Sequence, residues 1–212
     1  MREVVLATTN PHKVVELRAV LGPRGVGVVS LGEVEGGDGI EEPREDGETF
    51  EANARLKAGY YAKRLKRVCL ADDSGLEVDV LGGRPGVHSA YFAHGVEEGP
   101  RVARAERDAA NNAKLLKEME GVEWGRRGAR FRCVMALAGS DGRVVAVADG
   151  VFEGRIGLEM KGRNGFGYDP LLVLEGGRTS AELSAEEKNA RSHRGEAARK
   201  IAGEVVRVMG SV

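Results

Sequence analysis

The sequence predicts an α/β fold built on a mixed β-sheet flanked by helices, and two observations carry that prediction. Near the N-terminus a short apolar run passes through a polar turn into an amphipathic stretch, the strand–helix unit of a parallel sheet. Further on, residues 129–138 and 144–148 flank Ser140-Asp141-Gly142, a hairpin turn that belongs to an antiparallel meander. Parallel units first and a meander later make a mixed sheet rather than an all-parallel one. At 212 residues the chain forms one domain or one two-lobed unit with a sizeable core.

Each element follows from local residue chemistry. Val4–Ala7 reads as a buried strand, and Asn10 with Pro11 supplies an N-cap and a first helical position. Val14, Leu17 and Leu21 continue as a helical stripe that Gly22-Pro23 ends. A strand, a polar turn and a helix start in succession expose backbone N–H groups to an anion. Lys13 in that first turn opposes the helix dipole, so it is either a solvated side chain or a phosphate ligand. Val26–Leu31 forms a second strand, and residues 32–47 make a long acidic loop with Glu41, Glu42, Glu45 and Asp46. A helix follows from about Glu48 with Phe50, Ala54, Ala58, Tyr61 and Leu65 on one face. Lys57 lies off that stripe and reads locally as a surface charge.

Val68–Ala71 is expected as a short buried strand, with Asp72, Asp73, Ser74 and Gly75 where it ends. Strand ends are where ligands bind in open α/β sheets. Two neighbouring carboxylates repel, so keeping both ionised calls for a cation or for protonation of one. Hard oxygens in that position suit Mg²⁺, which takes one or two carboxylates plus substrate phosphates. An Asp-rich turn bonded to its own backbone accounts for the same residues equally well.

A helix is expected over Pro100–Met119, then the alternating strand with Phe131, Cys133, Met135 and Leu137 on one face, and Val144–Ala148 as its partner. Val151–Ile156 extends the sheet. Gly165-Phe166-Gly167-Tyr168-Asp169 is neither a P-loop nor a dinucleotide fingerprint. Its glycines either leave two aromatic faces free to stack on a flat ligand or pin two aromatics in the core. Ser184 and Glu187 have capping-box spacing, Ser192 is placed to cap a last helix, and Ala198, Ile201, Val205 and Val208 mark that helix's core face. Lys188, His193 and Arg194 would then gather near one helix N-terminus, where an anion or carbonyl-rich ligand answers them.

Composition narrows the partners. The hydrophobic fraction is 42% and the charged fraction 31%, values of a soluble globular protein. A formal net charge of -1 gives no global attraction to nucleic acid or membrane, although 32 Lys and Arg leave room for a local cationic pocket. Cys69 and Cys133 are expected as reduced core thiols. The N-terminal apolar run is short for a signal peptide and no run reaches transmembrane length, so a cytoplasmic protein is expected.

Five motifs in one order resemble the Ham1 family, the inosine triphosphate pyrophosphatases. They are Thr8-Thr9-Asn10-Pro11-His12-Lys13, Thr49–Ala54 with Lys57, Ala71–Leu76, Gly165–Pro170 and Ser192-His193-Arg194, which together span nearly the whole chain. The resemblance implies a single two-lobed domain over residues 1–212, with an elongated sheet flooring a central substrate cleft, and a homodimer. It implies Mg²⁺-dependent cleavage of dITP, ITP and XTP between the α- and β-phosphates, giving the monophosphate and pyrophosphate. By similarity, Thr8, Thr9, Asn10 and Lys13 hold the triphosphate, with Lys57 and Ser74 as further contacts. Asp73 matches the metal ligand or proton acceptor, and Glu45 a second metal carboxylate with Glu41 and Glu42 as rivals. Phe166, Gly167, Tyr168, Asp169, Lys188, His193 and Arg194 match the base pocket.

Donors without acceptors at Lys188 and Arg194 suit a 6-keto oxygen and leave an adenine amino group unanswered. Guanine shares the keto group, so its rejection must come from the 2-amino position. One departure stands out: Tyr91-Phe92 occupies the place where bacterial relatives usually carry Arg-Tyr, which removes a cation expected near the cleft. Two rivals accompany this reading. One is a Maf-like pyrophosphatase of different base specificity, disfavoured by the Phe166–Asp169 and Ser192–Arg194 matches. The other is a nucleotide- or nucleic-acid-binding module without catalysis, disfavoured by the intact acidic motif and the lack of a basic, aromatic-interleaved stripe.

Overall fold

The computed structural model describes residues 2–95 and 102–210. Its six-stranded sheet has the order β2-β1-β3-β4-β5-β6. The strands are β1 (Arg2–Leu6), β2 (Val26–Ser30), β3 (Cys69–Val78), β4 (Gly128–Ala138), β5 (Val144–Ile156) and β6 (Leu172–Val173). β1 runs parallel to both β2 and β3, with Val4 opposite Val28 and Leu6 opposite Leu70. β5 and β6 are antiparallel, with Ile156 opposite Leu172. The sheet is therefore mixed, as the order of elements requires.

The helices are α1 (Pro11–Leu21), α2 (Phe50–Leu65), α3 (Arg104–Glu118), α4 (Ala185–Arg191) and α5 (His193–Gly210). The expected start of the third helix at Pro100 lies outside the described residues. Among those residues no helix is long and apolar enough to cross a membrane.

The chain divides into two compact units, and β3, β4 and β5 each contribute to both. The first comprises Met1–Asp73, Cys133–Gly150 and Arg191–Val212. Its core joins Val4 and Leu6 of β1, Val14, Leu17 and Leu21 of α1, Cys133, Met135 and Leu137 of β4, and Ile201 and Val205 of α5. The 3.6-residue stripes of α1 and α5 meet over the apolar face of the strands, which removes both from water. Gly150 lets α5 come this close. A Cβ there would sit 2.1 Å from the carbonyl oxygen of His193, so any side chain would push away the turn that carries His193 and Arg194.

The second unit comprises Ser74–Arg132 and Val151–Ala190. Leu76, Val78, Phe131, Phe152, Ile156, Leu171 and Leu183 pack there with Leu115 and Met119 from the α3 end.

One expected boundary is wrong in an instructive way. The strand does not stop at Ala71; β3 runs on through Asp72, Asp73, Ser74 and Gly75 to Val78. Leu76 and Val78 are fully buried, and their alternation keeps the strand going past the acidic pair. Likewise, the two segments expected over 144–148 and 151–156 are one strand, β5.

Candidate active site

Because β3 continues, successive side chains leave it on opposite faces, and this separates the two adjacent carboxylates. Asp72 is wholly buried among cations: Lys13 Nζ lies 3.0 Å and Arg194 Nε 3.2 Å from its Oδ2. Arg194, itself 2% exposed, also donates from Nη1 to Glu16 of α1 at 2.5 Å. Burial alone would raise the Asp72 pKa, but Lys13, Arg194 and Lys57 outweigh it and hold the carboxyl below its ordinary range. Arg194 is correspondingly raised: burial opposes its charge, and Glu16 and Asp72 restore it.

Asp73 faces a different set. Its Oδ1 accepts from Lys57 Nζ at 3.2 Å and its Oδ2 from Asn53 Nδ2 at 3.2 Å. Lys57 Nζ reaches on to Glu45 Oε2 at 2.7 Å. Lys57, read locally as a surface charge, is 9% exposed; burial opposes its charge, and Asp73, Glu45 and Asp72 more than compensate, so its pKa rises. Asp73 moves opposite to Asp72. Burial raises its pKa above the ordinary value, Glu45 adds to this, and Lys57 and Lys13 only partly resist. One β-strand thus carries a carboxylate locked in its charged form beside one whose charge is disfavoured.

The turn after β1 supplies the third component. Asn10 caps α1, its Oδ1 accepting from His12 N at 3.0 Å, while its own N donates to Thr8 Oγ1 at 3.2 Å. Asn10 is buried, and its Nδ2 donor has no hydrogen-bond partner among the described residues. A buried donor left unmade is costly, so an acceptor from a ligand would satisfy it. It stands at the N-terminus of an 11-residue helix with no acid in its first turn and with Lys13 there, which is an anion-binding arrangement. Thr9 Oγ1 donates to Glu42 Oε1 at 3.3 Å, and the Glu41 carbonyl accepts from Tyr60. Of Glu41, Glu42 and Glu45, the last is the one that shares a cation with Asp73.

Among the described residues no group of three or more His, Cys, Asp and Glu forms a metal cluster. The Asp73 and Glu45 oxygens nevertheless converge on one cationic Nζ, and hard carboxylates of that kind fit a divalent ion that completes its shell from water and phosphate.

In the second unit, Asp169 organises the glycine-rich loop. Its Oδ2 accepts from Phe166 N at 2.8 Å and from Lys188 Nζ at 2.6 Å, and its Oδ1 accepts from Ser180 Oγ at 2.7 Å. Phe166 is half-buried, with Lys188 Nζ 5.2 Å from its ring centre. Of the two alternatives for these aromatics, Tyr168 takes the core one: it is 4% exposed and its hydroxyl donates to the Ser89 carbonyl. Burial pushes the Tyr168 hydroxyl's pKa up, and Asp108 adds to that. Gly167 has a φ of 61°, a left-handed conformation between the two rings.

The residues expected near one helix start, Lys188, His193 and Arg194, fall on two successive helices. Lys188 lies in α4 of the second unit on Asp169, whereas His193 and Arg194 open α5 in the first, Arg194 on Asp72 and Glu16. Ser74 is half-buried on β3, two residues beyond Asp72 and so on the same strand face. Glu16 is the member that sequence reasoning left out, and Asn53 lay inside the Thr49–Ala54 motif without a role of its own. Only a partner for Arg194 or Asp73 singles them out, and neither partner is local in sequence.

The sequence model of the Ham1 family matches residues 4–204. A dITP/XTP pyrophosphatase of Nitratidesulfovibrio vulgaris is 50% identical over 93% of this chain and 93% of its own length. Another, from Anaeromyxobacter sp., is 46% identical over 94% of each. The solved structure of a HAM1 protein from Coxiella burnetii superposes with a TM-score of 0.81 at 35% identity, covering 98% of this chain and all of that one.

Proposed function

The chain belongs to the Ham1 family, and we propose that it is a hydrolase that cleaves dITP, ITP and XTP to the monophosphate and pyrophosphate, clearing non-standard purines from the nucleotide pool. The observation that carries this reading is the pair of opposed carboxylates on β3, beside a helix N-terminus with an unsatisfied buried donor. Thr8, Thr9, Asn10 and Lys13 receive the polyphosphate, supported by the helix dipole and the Asn10 amide. Ser74 contributes a hydroxyl. Asp72 stays ionised, holding Lys13 and Arg194 in place. Asp73, whose raised pKa makes it the better proton acceptor of the two, orients and deprotonates the attacking water.

The cofactor is Mg²⁺, held by Asp73 and Glu45, with Lys57 balancing their charge. When bound, it neutralises phosphate charge in the transition state. Phe166 stacks on the base, the Gly167 backbone allows its close approach, and Asp169 aligns Lys188 towards the 6-keto oxygen. Tyr168 serves this pocket through its backbone and its anchoring ring. His193 and Arg194 remain assigned to the base. Residues 1–212 act as one catalytic domain, and the working form is a homodimer. We place it in the cytoplasm with the nucleotides it acts on, which accords with two free cysteines.

A turnover panel tests this. With Mg²⁺, dITP and XTP should release pyrophosphate, while dATP, dGTP and dTTP should not, and chelation should stop the reaction. Orthophosphate as the product, or equal rates across the bases, would overturn the assignment.

A further inference from the structure

The helix α3 contains nothing that the reading above uses, yet one of its faces is given over to the base-binding loop. Arg104, Asp108 and Asn112 recur every four residues and so share a face. Asp108 Oδ2 accepts from Gly167 N at 2.9 Å, and Asn112 Nδ2 donates to Gly167 O at 2.9 Å. The peptide groups on both sides of Gly167 are therefore gripped by one helix, directly after Phe166. Arg104 places its guanidinium carbon 5.0 Å from the Phe166 ring centre, within cation–π range. With Lys188 at 5.2 Å, the ring bears two cations. Lys188 is balanced by Asp169 at 2.6 Å, so a base stacked on Phe166 would meet the Arg104 guanidinium as a charge additional to that pair.

We propose that Arg104 is a base-selecting residue that favours purines carrying negative charge, xanthine above hypoxanthine, and that Asp108 and Asn112 are the positioning residues that hold the loop for it. This rests on the assignment of Phe166 to the base. The chemistry is that of the bases themselves. Xanthine has a second carbonyl and gives up a ring proton far more readily than hypoxanthine, so it presents an anionic ring near neutral pH. Adenine has no keto oxygen and gains least. A guanidinium stays charged throughout, so the discrimination follows the ionisation of the base and not that of the protein.

The test is calorimetric binding of xanthosine and inosine monophosphates, which needs no turnover. Arg104→Gln should weaken the xanthosine nucleotide about three- to tenfold and the inosine nucleotide much less. The xanthosine excess should shrink as pH falls and the base becomes neutral. Equal losses for the two nucleotides, or none, would overturn the proposal. For the positioning pair, Asp108→Ala should raise KM for dITP with kcat little changed, and Asp108→Asn, which keeps an acceptor for Gly167 N, should recover most of it. If both fall alike in thermal stability with no change in KM, the pair has only a structural role. A wild-type protein that binds neither monophosphate refutes this inference even if it releases pyrophosphate from dITP. One that binds both with the Arg104 signature but hydrolyses nothing refutes the proposed reaction and leaves the inference standing.

Discussion

Replacing Asp72 and Asp73 by asparagine, one at a time, should give opposite results from adjacent residues. Asp72 has a fully buried side chain and balances Lys13 at 3.0 Å and Arg194 at 3.2 Å, the latter 2% exposed. Asp72→Asn keeps the shape but removes one of the two carboxylate charges, Asp72 and Glu16, that Arg194 meets. Breaking a buried ion pair from one side costs about 3–5 kcal/mol. At about 2–4 °C per kcal/mol for a chain of this size, the melting midpoint should fall by roughly 10 °C.

Asp73→Asn removes a charge that the fold resists, since burial holds that carboxyl above its ordinary value. Lys57 keeps Glu45 at 2.7 Å in this variant, so the midpoint should fall less than in Asp72→Asn, while turnover is lost because an amide accepts no proton. The signs follow from linkage. Asp72, with a lowered pKa, contributes stability above its unfolded value of 3.8 and loses it as pH falls through the lower folded value. Asp73, with a raised pKa, costs stability once ionised and is relieved by acid. Thermal unfolding followed by circular dichroism, with pyrophosphate release in parallel, reads both. A larger drop for Asp73→Asn than for Asp72→Asn would refute the division of roles.

Three further outcomes are expected. Gly165→Ala places a Cβ 2.0 Å from Asp169 Oδ2 at a φ of +78°, so KM for dITP should rise about tenfold or more, with stability lower by about 1–3 kcal/mol; wild-type kinetics would show that the loop is not held there. Arg127, 3% exposed, donates to the carbonyls of Met119, Val122, Ile156 and Gly157, so Arg127→Ala should cost about 3–5 kcal/mol and Arg127→Lys should recover only part, as measured by denaturant unfolding. Burial pushes the Cys69 thiol from 9.0 up to about 12, so the fold loses stability as pH rises from about 9 towards 12 while the unfolded thiol ionises; Cys69→Ala should flatten that alkaline slope, and an unchanged slope would move its origin elsewhere.

What the sequence determined by itself is local. Asn10 with Pro11, Ser184 with Glu187, and Ser140-Asp141-Gly142 set helix starts and a turn through bonds spanning only a few residues, and the structure keeps each of them. The sequence also held the family motifs and the mixed character of the sheet. The tertiary structure decided how those parts are wired. Whether β3 ends at Ala71 or continues depends on the burial of Leu76 and Val78, and that choice alone sends Asp72 and Asp73 to opposite faces. Lys57 is a buried cation because Glu45 and Asp73 close on it, not because of its place on its own helix. Arg194 finds Glu16 across 178 residues, and Asp108 finds Gly167 across 59. Caps and turns are short-range and readable in a window of a few residues. Charges answer to whichever remote side chains the packing of strands and helices brings within 3–4 Å, where Coulomb attraction and desolvation compete, the first winning at Asp72 and the second at Asp73.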